Sequence, residues 1–232
     1  MCSSDLIARI LCLVLLLMSA GYAVAHNVSD SNASYVQALE GIAIVPFIYL
    51  GAKHMVTGFD HLLFVLGVIF FLYRPRDVIL YVTLFTVGHS LTLLTGVMWR
   101  IEVNDHLIDA IIGFSVVYKA FENLGGFQQL FNIEPDSRIA VLIFGLFHGF
   151  GLATKLQALN LSEEGLLANL LSFNLGVELG QLMVLGLFLL LLSHWRQRAS
   201  FRQHAFLTNS ALMTCGFIFI GIQLTAWSLE IA

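Results

Sequence analysis

The chain has 232 residues, of which 58% are hydrophobic and only 11% are charged, and its mean hydropathy is +0.86. Soluble domains carry about 25% charged residues, so this composition excludes an ordinary soluble protein and indicates one embedded in a bilayer. The net charge of −4 says nothing about nucleic acid by itself, but the sequence offers no basic face for a phosphate backbone, so no nucleic-acid partner is expected.

The N-terminal residues 1–25 have the pattern of a cleaved secretory signal peptide. Arg9 gives a weak positive region, residues 10–18 form a short apolar core, and Ala23-Val24-Ala25 is a small-residue cleavage site. The apolar core is shorter than the about 20 residues that span a bilayer, although an uncleaved anchor is the alternative. Residues 26–38 are polar and predict a short extracytoplasmic tether, and residues 39–232 form a single transmembrane domain.

The remaining chain predicts an all-α bundle that crosses the membrane about six times. Residues 39–53 are apolar but contain Pro46, and we interpret them as interfacial or re-entrant rather than as a kinked seventh span. Apolar runs of membrane-spanning length follow them. The predicted spans are 58–73, 78–98, 107–123, 138–157, 166–193 and 206–228.

The charges between these spans predict the orientation of the bundle. With the mature N-terminus outside, the inner loops carry seven Lys and Arg residues and the outer loops carry three. Cytoplasmic loops are enriched in Lys and Arg, so the predicted location is a bacterial inner membrane with both mature termini outside.

The predicted first span begins with two histidines and an aspartate, His54, Asp60 and His61. A charged side chain at bilayer depth costs roughly 2.5–3.5 kcal/mol, so ionisable residues there indicate function. Imidazole and carboxylate together form a ligand set that divalent transition metals accept. His54 and His61 would lie about 10.5 Å apart along an unbroken helix, so a shared ion requires a break at Gly58.

Later spans place further polar residues at membrane depth, and with the first group they predict a metal path. His89 lies in the second span, His148 in the fourth, and Glu178 in the fifth as the deeper member of the set. Packing between helices explains a lone polar side chain well, but it explains a mid-membrane carboxylate poorly. The supporting polar residues are Ser90, Asp109, Glu122, Asn123, Asn174 and Gln181, with Lys119 expected to pair locally with Glu122.

Five motifs, taken in order, resemble those of the HupE/UreJ family of small membrane proteins, in its second-type branch. They are Gly51-x-x-His54-x-x-x-Gly58-x-Asp60-His61, Phe85-Thr86-x-x-His89-Ser90, Ser115-x-x-Tyr118-x-x-x-Glu122-Asn123, His148-Gly149-Phe150-Gly151 and Phe173-Asn174-Leu175-Gly176-Val177-Glu178-Leu179-Gly180-Gln181. The resemblance implies a permease for nickel, with cobalt as an alternative, that supplies metalloenzymes. It also implies that His54, Asp60 and His61 recognise the metal.

The leading hypothesis is therefore transport of a divalent transition metal, nickel first and cobalt or zinc as alternatives, rather than catalysis. One rival is an intramembrane zinc-type hydrolase, in which Glu178 or Asp60 would activate a water molecule. The other is a non-transporting membrane partner of a metalloenzyme maturation system. The expected partners are the metal ion, the lipid bilayer, and either further copies of the chain or maturation proteins.

Overall fold

The computed structural model describes residues 41–158 and 163–231 of the chain. The predicted signal peptide and the polar segment 26–38 lie outside these residues. The regular elements of the described part are eight helices, as the all-α prediction requires. They are α1 (Ile44–Thr57), α2 (Phe59–Ile69), α3 (Pro75–Met98), α4 (Asp105–Asn123), α5 (Gly126–Phe131), α6 (Ser137–Gln157), α7 (Leu166–Arg196) and α8 (Phe201–Ile231).

By length and apolar composition, the described residues provide four or five candidate membrane spans. Helices α3, α6, α7 and most of α8 qualify individually, and α1 with α2 qualifies as a pair that is bent by 66°. The predicted third span falls on α4, which does not qualify because it carries Asp109, Lys119 and Glu122. The chain is thus an integral membrane protein, and composition alone does not reach the predicted count of six spans.

The segment that was expected to be interfacial or re-entrant forms the first half of a broken helix, α1–α2, and a bend of 66° fits either a broken span or a re-entrant loop. At one end, Asn169 of α7 accepts a hydrogen bond from the Ala43 backbone N–H and donates one to the Gly41 carbonyl. At the other end, Arg196 donates hydrogen bonds to the backbone carbonyls of residues 69, 70 and 72. Helix α1 therefore runs parallel to α7, and the bent pair α1–α2 reaches from one end of that 31-residue helix to the other.

Three closely packed helix pairs form the bundle, and glycine makes each of them possible. A Cβ atom on Gly176 would overlap the Ile48 carbonyl oxygen, so α1 and α7 pack backbone against backbone. Gly145 and Gly149 of α6 meet α3 in the same way, and Gly113 of α4 meets Gly216 of α8. Gly145 with Gly149 and Gly176 with Gly180 thus form small-residue faces at which helices approach closely.

The contacts also fix the direction of each helix. Helices α2 and α7 end where α3 and α8 begin, at what we call the Arg196 end of the bundle; the opposite end is the Gly41 end. Helix α6 is parallel to α3, because Gly145 meets Phe85 and Gly96 meets Ala153. Helix α4 is antiparallel to α8, because His106 bonds Gln223 whereas Asn123 bonds Asn209. Successive long helices therefore alternate in direction.

Candidate metal centre

The break between α1 and α2 brings two histidines together. Gly58 ends α1, donating its N–H to the His54 carbonyl, and α2 begins at the next residue. The His54 and His61 rings consequently have centroids 4.9 Å apart, which an unbroken helix would prevent. A Cβ atom on Gly58 would lie 2.8 Å from His61 Nδ1, so a larger residue at the break would force the His61 ring to shift. The break at Gly58 that a shared ion requires is therefore present.

The first turn of α2 carries a buried carboxylate–imidazole pair. Asp60 and His61 are 5% and 3% exposed, and Asp60 Oδ1 lies 3.1 Å from His61 Nδ1. A carboxylate beside an imidazole is the arrangement that the partners of metal-bound histidines have. His61 Nε2 is buried, and no described residue forms a hydrogen bond with it.

The α3–α6 pair contributes two more imidazoles to the same place. The His61 ring centroid is 5.1 Å from that of His148 and 6.2 Å from that of His89. His148 Nδ1 lies 2.7 Å from the Phe144 carbonyl oxygen, which can only accept a hydrogen bond. The proton therefore resides on Nδ1, and Nε2 carries the lone pair that a metal requires. Both ring nitrogens of the fully buried His89 have no hydrogen-bond partner among the described residues.

The donor set fits a divalent transition metal. Ligand atoms of Asp60, His61 and His148 all lie within 4.8 Å of one another, and all three residues are buried. Two metal–ligand bonds of about 2.1 Å reach about 4.2 Å, so small side-chain rotations would bring all three atoms onto one ion. His61 Nε2 and both His89 ring nitrogens have no hydrogen-bond partner among the described residues, which is costly in an apolar interior, and a bound cation would satisfy such atoms. We call His54, Asp60, His61, His89 and His148 the histidine cluster.

Three buried phenylalanines close the cluster on the side of the Arg196 end. Phe64 lies 5.3 Å from Phe85 and 5.9 Å from Phe144, measured between ring centroids. The ring centroids of Phe64 and Phe85 also lie 5.4 and 4.9 Å, respectively, from that of His148. His54, in contrast, is only half-buried. These rings could not be predicted from the sequence, because an apolar residue in an apolar span gives no signal until its neighbours are known.

The three polar residues of α7 that were predicted to belong to the metal path lie on two different surfaces of the helix. Asn174 and Gln181 are buried, and Gln181 Oε1 accepts a hydrogen bond from the Thr86 hydroxyl. Glu178 is exposed on the outer face of α7 among apolar residues such as Leu175 and Leu179. The structure therefore does not bring Glu178 to the histidine cluster, and its role as a metal ligand stays a prediction.

The other supporting residues form local contacts away from the cluster. Asp109 pairs with Lys155 at 3.2 Å near the Gly41 end. The expected Lys119–Glu122 pair is confirmed at 2.8 Å, and Ser137 joins it. Asn123 donates hydrogen bonds to the Gly67 carbonyl and to Asn209. Ser90 is half-buried on α3, next to His89.

A comparison with known families gives one match. The model of a family described as HupE / UreJ protein matches residues 30–231, which is most of the 232-residue chain. No curated protein and no solved structure matches the chain. The match covers all five motifs on which the resemblance was based. The chain belongs to the second-type branch of the HupE/UreJ family of membrane proteins.

Proposed function

We propose that this protein carries a divalent transition-metal ion, nickel in the first place, across the bacterial inner membrane through the histidine cluster. The observation that carries the proposal is the buried Asp60–His61–His148 group, whose ligand atoms already lie within 4.8 Å of one another. Membership of a family associated with nickel and cobalt uptake supports the same substrate class.

The chemistry of the cluster suits transport better than permanent storage. Imidazole binds nickel, cobalt, copper and zinc, and affinity alone would favour copper, so geometry and metal availability must select the ion. A transport site must also release its ion, which several weakly held positions achieve better than a closed four-ligand cage. Asp60, His61 and His148 would form the first such position, with His54 on the half-buried side and His89 beside His61.

The proposal includes six crossings, with the broken helix α1–α2 as the first and α4 as the third. Helix α4 packs antiparallel to the candidate span α8 from His106 to Asn123, about 26 Å along the axis. Its charged residues do not face bare lipid, because Asp109 pairs with Lys155 of α6 and Lys119 pairs with Glu122. A helix that is covered by its neighbours can cross the membrane with fewer apolar residues.

The Arg196 end is proposed to face the cytoplasm. Most arginines of the described chain border the helix ends that meet there, and cytoplasmic loops carry an excess of such residues. They are Arg74, Arg76, Arg138, Arg196, Arg198 and Arg202. The half-buried His54 then faces the outside, and the phenylalanine rings separate the cluster from the cytoplasm.

The direct experiment is Ni²⁺ uptake into proteoliposomes that contain a metal-sensitive dye. The purified protein should transfer Ni²⁺ to the dye faster than protein-free vesicles do. Tight Ni²⁺ binding without transfer would contradict transport, and it would favour the membrane partner of a maturation system or the metal-dependent hydrolase instead.

A further inference from the structure

A second unsatisfied polar group lies on α7, outside the histidine cluster. Asn174 is only 7% exposed, and neither its Oδ1 nor its Nδ2 has a hydrogen-bond partner among the described residues. Leaving a buried amide without partners costs about 1–3 kcal/mol, so the Asn174 amide is expected to bind something other than the protein, either water or a ligand that carries water. The usual alternative, an amide that links two helices, does not hold here because that role requires the missing bonds.

Helix geometry places Asn174 on the side of α7 that faces α3. Asn174 and Gln181 are seven residues apart, so they lie on the same face, about 10.5 Å apart along the axis. Gln181 bonds Thr86, which directs this face towards α3. Helices α3 and α7 are antiparallel. Moving along α7 from Gln181 back to Asn174 therefore corresponds to moving along α3 from Thr86 towards His89 and Ser90.

The neighbours of Asn174 in the chain connect it to the other side of the cluster. Phe173 has its ring centroid 6.0 Å from that of His54, and it packs against α1 through Gly51. Asn174 therefore lies between two faces of α7. One face packs against α1, which carries His54, and the other packs against α3, which carries His89. It is also nearer than Gln181 to the Gly41 end, from which the proposed substrate arrives.

We propose that Asn174 binds the divalent metal ion in its hydrated form, one step before the ion reaches the histidines. This inference rests on the proposed function. A neutral amide has an acceptor oxygen and two donor hydrogens, so it can hold the water molecules of a metal ion without holding the ion tightly. Histidine nitrogens then replace those waters inside the cluster. Asn174 would thus set how fast Ni²⁺ enters.

The chain offers a matched control in Asn209 of α8. Asn209 is 1% exposed, but it donates to the Ala205 carbonyl and accepts from Asn123. Both asparagines are therefore buried amides in long helices, one with partners and one without. Replacing a satisfied amide by leucine leaves its partner unsatisfied, whereas replacing an unsatisfied amide by a residue of similar size is neutral or stabilising.

The experiment compares the wild type with the variants Asn174→Leu, Asn174→Asp, Asn209→Leu and His61→Ala. Each is purified and tested for thermal stability in detergent and for Ni²⁺ uptake into proteoliposomes. We expect Asn174→Leu to unfold at or above the wild-type temperature and to take up Ni²⁺ roughly 10- to 100-fold more slowly, the range for outer-shell partners of metals. Asn209→Leu should unfold at a lower temperature and, per folded molecule, transport like the wild type.

The charge-adding variant tests the same idea in the opposite direction. Asn174→Asp should bind Ni²⁺ more tightly than the wild type and release it more slowly, because a carboxylate attracts the hydrated cation. Wild-type uptake by Asn174→Leu, or a loss of stability equal to that of Asn209→Leu, would overturn the inference and leave the proposed function standing. If the wild type moves no Ni²⁺, or His61→Ala moves it equally well, the proposed function fails, and this inference fails with it.

Discussion

The imidazole rings of His54 and His61 lie 4.9 Å apart across a helix break, although seven positions separate the two residues in the chain. Gly58 occupies the break, and its backbone angles are ones that alanine could also adopt. Its importance is therefore space rather than flexibility. A Cβ atom there would approach both His61 Nδ1, at 2.8 Å, and the His54 carbonyl oxygen, at 3.0 Å.

Gly58→Ala should weaken Ni²⁺ binding, because the added methyl group displaces His61 from its neighbours. We expect the affinity to fall roughly 10- to 100-fold, as for other changes that reorient metal ligands, with a small effect on thermal stability. Isothermal titration with Ni²⁺ in detergent measures the affinity. Gly186→Ala is the control: its Cβ atom would meet nothing within 4 Å, so it should stabilise α7 by about 0.5–1 kcal/mol without changing affinity. Unchanged Ni²⁺ affinity in Gly58→Ala would show that the proximity of the two rings is irrelevant.

Gly149→Ala should destabilise the contact between α3 and α6. The new methyl group would overlap the Thr92 hydroxyl and the His89 carbonyl oxygen, and overpacking of this kind costs about 1–3 kcal/mol. Thermal unfolding in detergent should therefore occur at a lower temperature. Adding Thr92→Ala should restore only part of the loss, because the backbone carbonyl cannot be removed. Complete recovery in the double variant would mean that the two backbones are not in contact.

Much of the candidate site could be predicted from the sequence, because an ionisable side chain at membrane depth carries a free-energy cost that indicates a function. His61, His89 and His148 lie in apolar spans, so their depth alone indicated function, but depth does not decide whether they share one cavity or form successive sites. The number of membrane spans is harder to predict from composition. Helix α4 is shielded by α6 and α8, so its composition resembles that of a soluble helix, and hydropathy cannot separate the two cases.

The helix at residues 44–57 and the exposure of Glu178 could not be predicted from the sequence. Pro46 suggested an interruption in residues 39–53, but it lies in the first turn of α1, where a helix tolerates proline because the backbone N–H has no partner there. Glu178 shares a helical face with Asn174 and Gln181 to within about 60°. Asn174 and Gln181 are nevertheless buried whereas Glu178 is exposed, and helical periodicity alone cannot predict that difference.

Glu178→Gln should leave Ni²⁺ binding unchanged, because the structure exposes this carboxylate on the outer face of α7. Titration of the variant should give the wild-type affinity and stoichiometry. A clear loss of affinity would instead support the sequence-based expectation that Glu178 is a deeper ligand, and it would require α7 to rotate towards the cluster.

The proposed orientation predicts that positions 102 and 197 lie on opposite sides of the membrane. Both residues are exposed, and they border the Gly41 end and the Arg196 end, respectively. In a Cys215→Ala background, Glu102→Cys should react with an impermeant maleimide in intact cells, and Gln197→Cys should react only after the membrane is permeabilised. Labelling of both positions from one side would exclude the six-crossing arrangement.

The most direct test of the account is the effect of His61→Ala on Ni²⁺ uptake into proteoliposomes. His61 is the central ring of the cluster, since its centroid lies within 6.2 Å of those of His54, His89 and His148. Its Nε2 has no hydrogen-bond partner among the described residues. His194→Ala, at an exposed position near the Arg196 end, is the matched control. The account predicts that His61→Ala folds but no longer takes up Ni²⁺, while His194→Ala behaves like the wild type. Wild-type uptake by folded His61→Ala would contradict the assignment of the cluster as the transport site.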